Sequence, residues 1–199
     1  MVLFVHSAGG SRHDPTDTLI ARALNQERIA TVLVNLCTAA ERELDADPDH
    51  RLDATILGPR AIALVDHLAS YEPTAGLHGA FCASGSGAAS ALIAAAARPA
   101  WVHAVLCRVA RPDRAGEFVR LVRCPTLLLV GEADGAVREA NERVEPEFPR
   151  TARVVHLPGV SVLREEPEAT RLVVELAKDW FPLRLGDRAR SGRGRPGTR

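Results

Sequence analysis

The sequence predicts a doubly wound, mostly parallel α/β sheet of about six strands with helices on both faces, and three observations support this. Short apolar runs rich in Val and Leu alternate regularly with longer segments of helical period. The runs are continuously apolar, as in "TVLVNL" and "TLLLV", which suits strands covered on both faces. Three prolines, Pro15, Pro112 and Pro167, fall at or before helix starts, where a missing N–H costs nothing.

Taken in order, the apolar run Val2–His6 is the first strand, and a helix over Thr16–Gln26 follows Pro15. The run Ala30–Cys37 is the second strand, followed by helical period over Asp53–Ser70. Leu77–Ala83 is a third strand that turns through small residues into a helix over Gly87–Ala97. Strand Val102–Arg108 precedes Pro112 and a helix over Arg114–Leu121. Strand Thr126–Gly131 leads to a helix over Gly135–Val144, and strand Arg153–Leu157 to a helix over Pro167–Phe181.

At 199 residues the chain holds one buried core and is too short for two full domains. Residues 1–182 form that domain. The remainder, 183–199, carries "RLGDRARSGRGRPGTR", basic and without apolar periodicity, and is predicted to be a disordered tail. The formal net charge is zero, so no basic excess points to nucleic acid. No apolar run reaches membrane-span length, and the start "MVLFVHSAGG" lacks the basic region of a signal peptide, so a cytoplasmic protein is expected. Cys37, Cys82, Cys107 and Cys124 are widely spaced without a CxxC, which predicts free thiols. Nucleotide-binding and HExxH metal motifs are missing, so no cofactor is expected and the ligand is a small molecule.

In a doubly wound sheet the ligand crevice lies at the carboxyl ends of the strands, so the loops after each strand carry the chemistry. "CASGSGAAS" places Ser84 at the turn from strand to helix. A nucleophile elbow needs small residues two positions away on either side, and Cys82 and Ser86 are small. Ser86 has a similar local pattern but stands further into the helix; a plain tight turn accounts for the stretch equally well. The loop "HSAGGSRHDP" has the place and composition of an oxyanion loop, whose backbone N–H would join that of Gly85. "PTLLLVGEAD" delivers Asp134 at a strand's carboxyl end, where an acid could orient a histidine.

Together "LFVHSAGGSRHDP", "RIATVLVNLCT", "CASGSG", "RPDRAG", "PTLLLVGEADGAV" and "LPGVSVLREEPEA" resemble, in order, a compact dienelactone-hydrolase-like member of the α/β-hydrolase superfamily. The resemblance implies Ser84 as nucleophile, Asp134 as triad acid, and Ala8 with Gly85 as oxyanion donors. It also implies that Arg12, His13 and Arg108 lie near the mouth of the site. Three departures stand beside it. Val162 occupies the place of the catalytic histidine, which removes the general base that makes a serine hydroxyl reactive. Ser7 replaces the glycine usual after the first histidine. The chain also starts directly on the strand before the oxyanion loop, where relatives carry extra antiparallel strands, so this is either a minimal version or a truncated start.

Among the other histidines, His13 with Asp14 beside it is the best candidate for a displaced base, and a substrate-contacting role suits it equally. His156 lies within a strand, and His78 and His103 start strands at the wrong end of the sheet. Two functions follow. The first is a hydrolase-like enzyme acting through Ser84 on a small ester, lactone or other acyl compound, with the base displaced to His13 or missing. The alternative is a non-hydrolytic descendant: a cyclase, an isomerase or a binding module.

Overall fold

The computed structural model describes residues 1–6, 10–44, 54–85, 87–162 and 166–186. Among them, β1 (Val2–His6), β2 (Thr31–Asn35), β3 (Gly79–Ser84), β4 (Val102–Arg108), β5 (Thr126–Gly131) and β6 (Ala152–Leu157) form one sheet. Its order is β2-β1-β3-β4-β5-β6, and every pair is parallel. The chain therefore leaves β1 toward one edge and returns to β3 on the other side. That makes the gap between β1 and β3 the switch point at which ligand crevices form.

The two-residue period of a strand divides the core in two. Leu3, Val5, Phe81, Val105 and Leu128 face α3 (Ala54–Ser70), α4 (Gly87–Ala97) and α5 (Gly135–Val144). Val2, Phe4, Ala80, Leu106 and Leu129 face α1 (Pro15–Gln26) and α6 (Pro167–Leu185). Phe4, Phe81 and Phe181 are fully buried, each contributing about 1.5–3 kcal/mol relative to an exposed ring. The alanine-rich sequence of α4 is buried from Gly87 to Ala95, because small side chains let it press closely on its neighbours. At one such contact a Cβ on Gly58 of α3 would meet Ile93 of α4 at 2.9 Å.

Four differences from the sequence expectations have physical causes. The continuously apolar β2 is half-buried along its length, because it is an edge strand with one neighbour. A short helix, α2 (Ala39–Leu44), was not anticipated. The expected helix over Arg114–Leu121 is 3₁₀-helical over Pro112–Leu121 and kinked at Gly116, whose φ of 56° breaks the helical path. Helix α6 continues to Leu185, three residues into the span assigned to the tail; residues 187–199 lie outside those described. None of the described helices is long and apolar enough to cross a membrane.

Candidate active site at the carboxyl end of the sheet

Ser84 is the last residue of β3, half-buried, and level with Arg108 on β4. No hydrogen-bond partner for its hydroxyl occurs among the described residues. The left-handed turn lies one residue after Ser84. Gly85 has φ 54°, whereas among the described non-glycine residues positive φ occurs only at Arg28, Val109 and Arg150. The turn from strand to helix is thus made by a glycine, which takes the left-handed conformation without steric cost. The Gly85 N–H donates to the Arg108 carbonyl at 3.4 Å, so it is turned toward β4. The proposed partner donor Ala8, together with Ser7 and the alternative serine Ser86, lies outside the described residues.

Asp134 stands just before α5, buried, and both its oxygens are occupied by the loop after β6. The Ser161 hydroxyl donates to Oδ1 at 2.5 Å, and the Val162 backbone N–H donates to Oδ2 at 2.8 Å. Glu166 accepts from the Ser161 backbone N–H at 3.1 Å and helps to fix the loop. Residue 162 therefore meets the acid through its backbone. Its own side chain, however, is an isopropyl group buried in the core, and the neighbouring Ser161 takes the remaining carboxylate oxygen.

Gly131 makes this close approach possible. A Cβ there would lie 2.4 Å from the Val160 carbonyl oxygen, 2.8 Å from Asp134 Oδ2 and 2.9 Å from the Val162 nitrogen. Backbone atoms cannot swing aside, so Gly131→Ala should force the loop off the acid. The expected cost is about 1–3 kcal/mol, read as a lower urea midpoint at unchanged m.

The described histidines are accounted for elsewhere. His13 is exposed, and its Nε2 accepts from Arg12 Nε at 3.3 Å. It lines a cavity of about 690 Å³ at the carboxyl ends of β1 and β2, whose lining includes neither Ser84 nor Asp134. His156 is paired with Glu142 at 3.6 Å. His67 stacks on Tyr71, and His78 on His103. His6 has both ring nitrogens on acceptors: Nδ1 faces the Val34 carbonyl at 3.2 Å and Nε2 faces Asp17 Oδ2 at 2.7 Å. No nitrogen of that ring is left to act as a base.

Arg108, expected near the mouth, is instead buried beside this histidine. Its guanidinium pairs with Asp14 at 2.9 Å and with Asp17 at 3.1 Å. Burial alone would push the guanidinium pKa down; the Asp17 and Asp14 charges outweigh it and hold it above its ordinary value. Asp14 also caps α1 by accepting from the Asp17 N–H at 2.8 Å. This four-residue network ties the ends of β1 and β4 to the start of α1. Sequence reasoning missed Asp17 and His6 as members. The one available sign was a polar side chain closing each of two apolar runs, at His6 and Arg108. Directly after Arg108, Val109 sits at φ 52°, a conformation that costs a β-branched residue on the order of 1–3 kcal/mol.

The cysteines are buried, free thiols. Desolvation pushes the Cys82 and Cys107 thiols well up and that of Cys124 to about 11, so none of these three supplies a thiolate at neutral pH. Among the described residues no cluster of His, Cys, Asp and Glu could hold a metal ion.

No protein-family model matches the chain. It is 36% identical over 181 residues, 91% of its length, to a putative phosphoribosyl transferase found in two strains of Mycobacterium tuberculosis. The chain spans only 40% of the length of those curated relatives. Among solved structures, Est1E from Butyrivibrio proteoclasticus shares the fold at a TM-score of 0.76 and 15% identity, covering 94% of this chain and 88% of that one. The dienelactone hydrolase from Anabaena variabilis superimposes at a TM-score of 0.86 with 38% identity, covering 92% of this chain and 86% of that one. An esterase from Pyrobaculum calidifontis also shares the fold, at a TM-score of 0.59 and 13% identity. With sequence identity, coverage and sheet all in agreement, the chain belongs to the dienelactone-hydrolase-like family of α/β-hydrolases.

Proposed function

We propose that this chain is a family member that holds a small ester, lactone or related acyl compound in the crevice at the carboxyl end of the sheet without imidazole-assisted transfer to Ser84. One observation carries the reading. Both oxygens of Asp134 are taken by the Ser161 hydroxyl and the Val162 backbone N–H, where a triad would present an imidazole. An unassisted serine hydroxyl is a poor nucleophile, because nothing removes its proton as the bond to carbon forms. The glycine at the left-handed turn position adds to this, since a nucleophile elbow holds its serine in that strained conformation.

A second reading keeps hydrolysis with Ser84 as nucleophile. It is favoured by the acid at Asp134 and by a Ser84 hydroxyl without a hydrogen-bond partner among the described residues. A fluorophosphonate probe separates the two, because it labels only an activated serine. Intact mass should show no adduct on the wild-type chain. An adduct on Ser84 that disappears in Ser84→Ala would establish the second reading instead.

A further inference from the structure

The cavity of about 690 Å³ at the carboxyl ends of β1 and β2 is lined by neither Ser84 nor Asp134. Its volume is within the usual range for small-molecule sites. Five polar side chains line it: Ser11, Arg12, His13, Asn35 and Thr38. Four of them share one feature: the acceptor atom is engaged internally and the donor is left over. Asn35 Oδ1 accepts from the Arg12 backbone N–H at 2.7 Å, which leaves the Asn35 amide NH₂. Ser11 Oγ accepts from the His13 backbone N–H at 3.1 Å, and Thr38 Oγ1 accepts from the Glu41 backbone N–H at 3.2 Å; each leaves a hydroxyl proton. His13 Nε2 accepts from Arg12 Nε, which leaves the Nδ1 side as donor.

Charge points the same way. Of the nearby carboxylates, Asp14 and Asp17 share the Arg108 guanidinium, and Glu41 is paired with Arg60 at 2.6 Å. Arg12 has no carboxylate partner among the described residues. Its backbone is tied to Asn35 and its Nε to His13, so the two terminal amino groups form a partly pre-organised fork. The result is a concave surface rich in donors, on which the Arg12 guanidinium is not itself paired with a carboxylate of the described residues. A carboxylate offers two oxygens to such a set, whereas a phosphate monoester offers three strong acceptor oxygens and nearly twice the charge.

We propose that this cavity is a binding site for the phosphate group of a small phosphorylated compound, with Arg12 as the charged anchor and Asn35, His13, Ser11 and Thr38 as donors. The site is independent of whether Ser84 reacts.

Calorimetric titration with phenyl phosphate, with benzoate as the matched carboxylate, tests it without any turnover. Failure here would therefore leave the reading of Ser84 untouched. Phenyl phosphate should give saturable one-to-one heat and raise the thermal midpoint; benzoate should bind at least tenfold more weakly. Arg12→Gln, a change at an exposed side chain, should weaken phenyl phosphate by roughly tenfold or more. Asn35→Asp keeps the acceptor that holds the Arg12 backbone N–H but replaces a donor by a negative charge. It should abolish binding while the protein stays folded by circular dichroism. Three outcomes would each overturn the proposal: no saturable heat with the wild type, benzoate binding as tightly as phenyl phosphate, or undiminished binding in both folded variants.

Discussion

Arg108→Met is expected to lower the unfolding free energy by about 3–5 kcal/mol, the loss typical when one partner of a buried ion network is removed. The guanidinium is 3% exposed and bridges Asp14 and Asp17, and Asp17 is itself 2% exposed. Methionine fills much of the same volume, so the cost comes from electrostatics. Asp17 would keep His6 as its remaining partner, and Asp14 would keep its bond to the Asp17 N–H. Urea unfolding at neutral pH reads the loss directly. The double variant Arg108→Met with Asp17→Asn should recover part of it, because the second change removes the charge that the first left uncompensated. A loss below about 1 kcal/mol in the single variant would mean that water reaches the network and screens it. The effect also bears on the site, since Arg108 is the residue level with Ser84 and its carbonyl receives the Gly85 N–H.

What could be read from the sequence follows from where the governing interactions lie. Strands Val2–His6, Val102–Arg108 and Thr126–Gly131, and helices Gly87–Ala97 and Gly135–Val144, agree residue for residue, because apolar runs and helical periods are local patterns. All three marker prolines stand at the first turn of a helical segment. Helix α2 was readable in principle. Thr38 and Glu41 form a reciprocal cap, with Thr38 Oγ1 accepting from the Glu41 N–H and Glu41 Oε2 accepting from the Thr38 N–H at 2.8 Å. At six residues it offered too little period to stand out. The His6–Asp17–Arg108–Asp14 network was not readable, since it joins residues up to 94 positions apart whose pairing only the tertiary fold decides. The elbow falls between these cases. "CASGSG" shows a serine next to a glycine, but only the backbone reveals that Gly85 makes the turn.

The remaining large effect concerns Val162, which the resemblance sets at the place of a histidine. Val162→His alone should give little hydrolysis, because the Ser161 hydroxyl already holds Asp134 Oδ1 at 2.5 Å and would compete with an imidazole for it. Combining Val162→His with Ser161→Ala clears that oxygen while the backbone N–H of residue 162 stays on Oδ2. The double variant should then hydrolyse an aryl ester about 10³-fold or more faster than the wild type in kcat/KM, the scale on which a triad member matters. Fluorophosphonate labelling of Ser84 should appear with it, and both should vanish when Ser84→Ala is added. Position 162 is 3% exposed in an apolar cluster. Its imidazole is tolerable only if the freed Asp134 oxygen accepts from it, so the double variant should also be more stable than Val162→His alone. A wild type that already matches the double variant would show that another base serves Ser84. If the double variant is folded and more stable than the single, yet does not hydrolyse, the fault moves to the elbow. With the left-handed turn at Gly85, the Ser84 hydroxyl would then be mis-aimed even with its base restored.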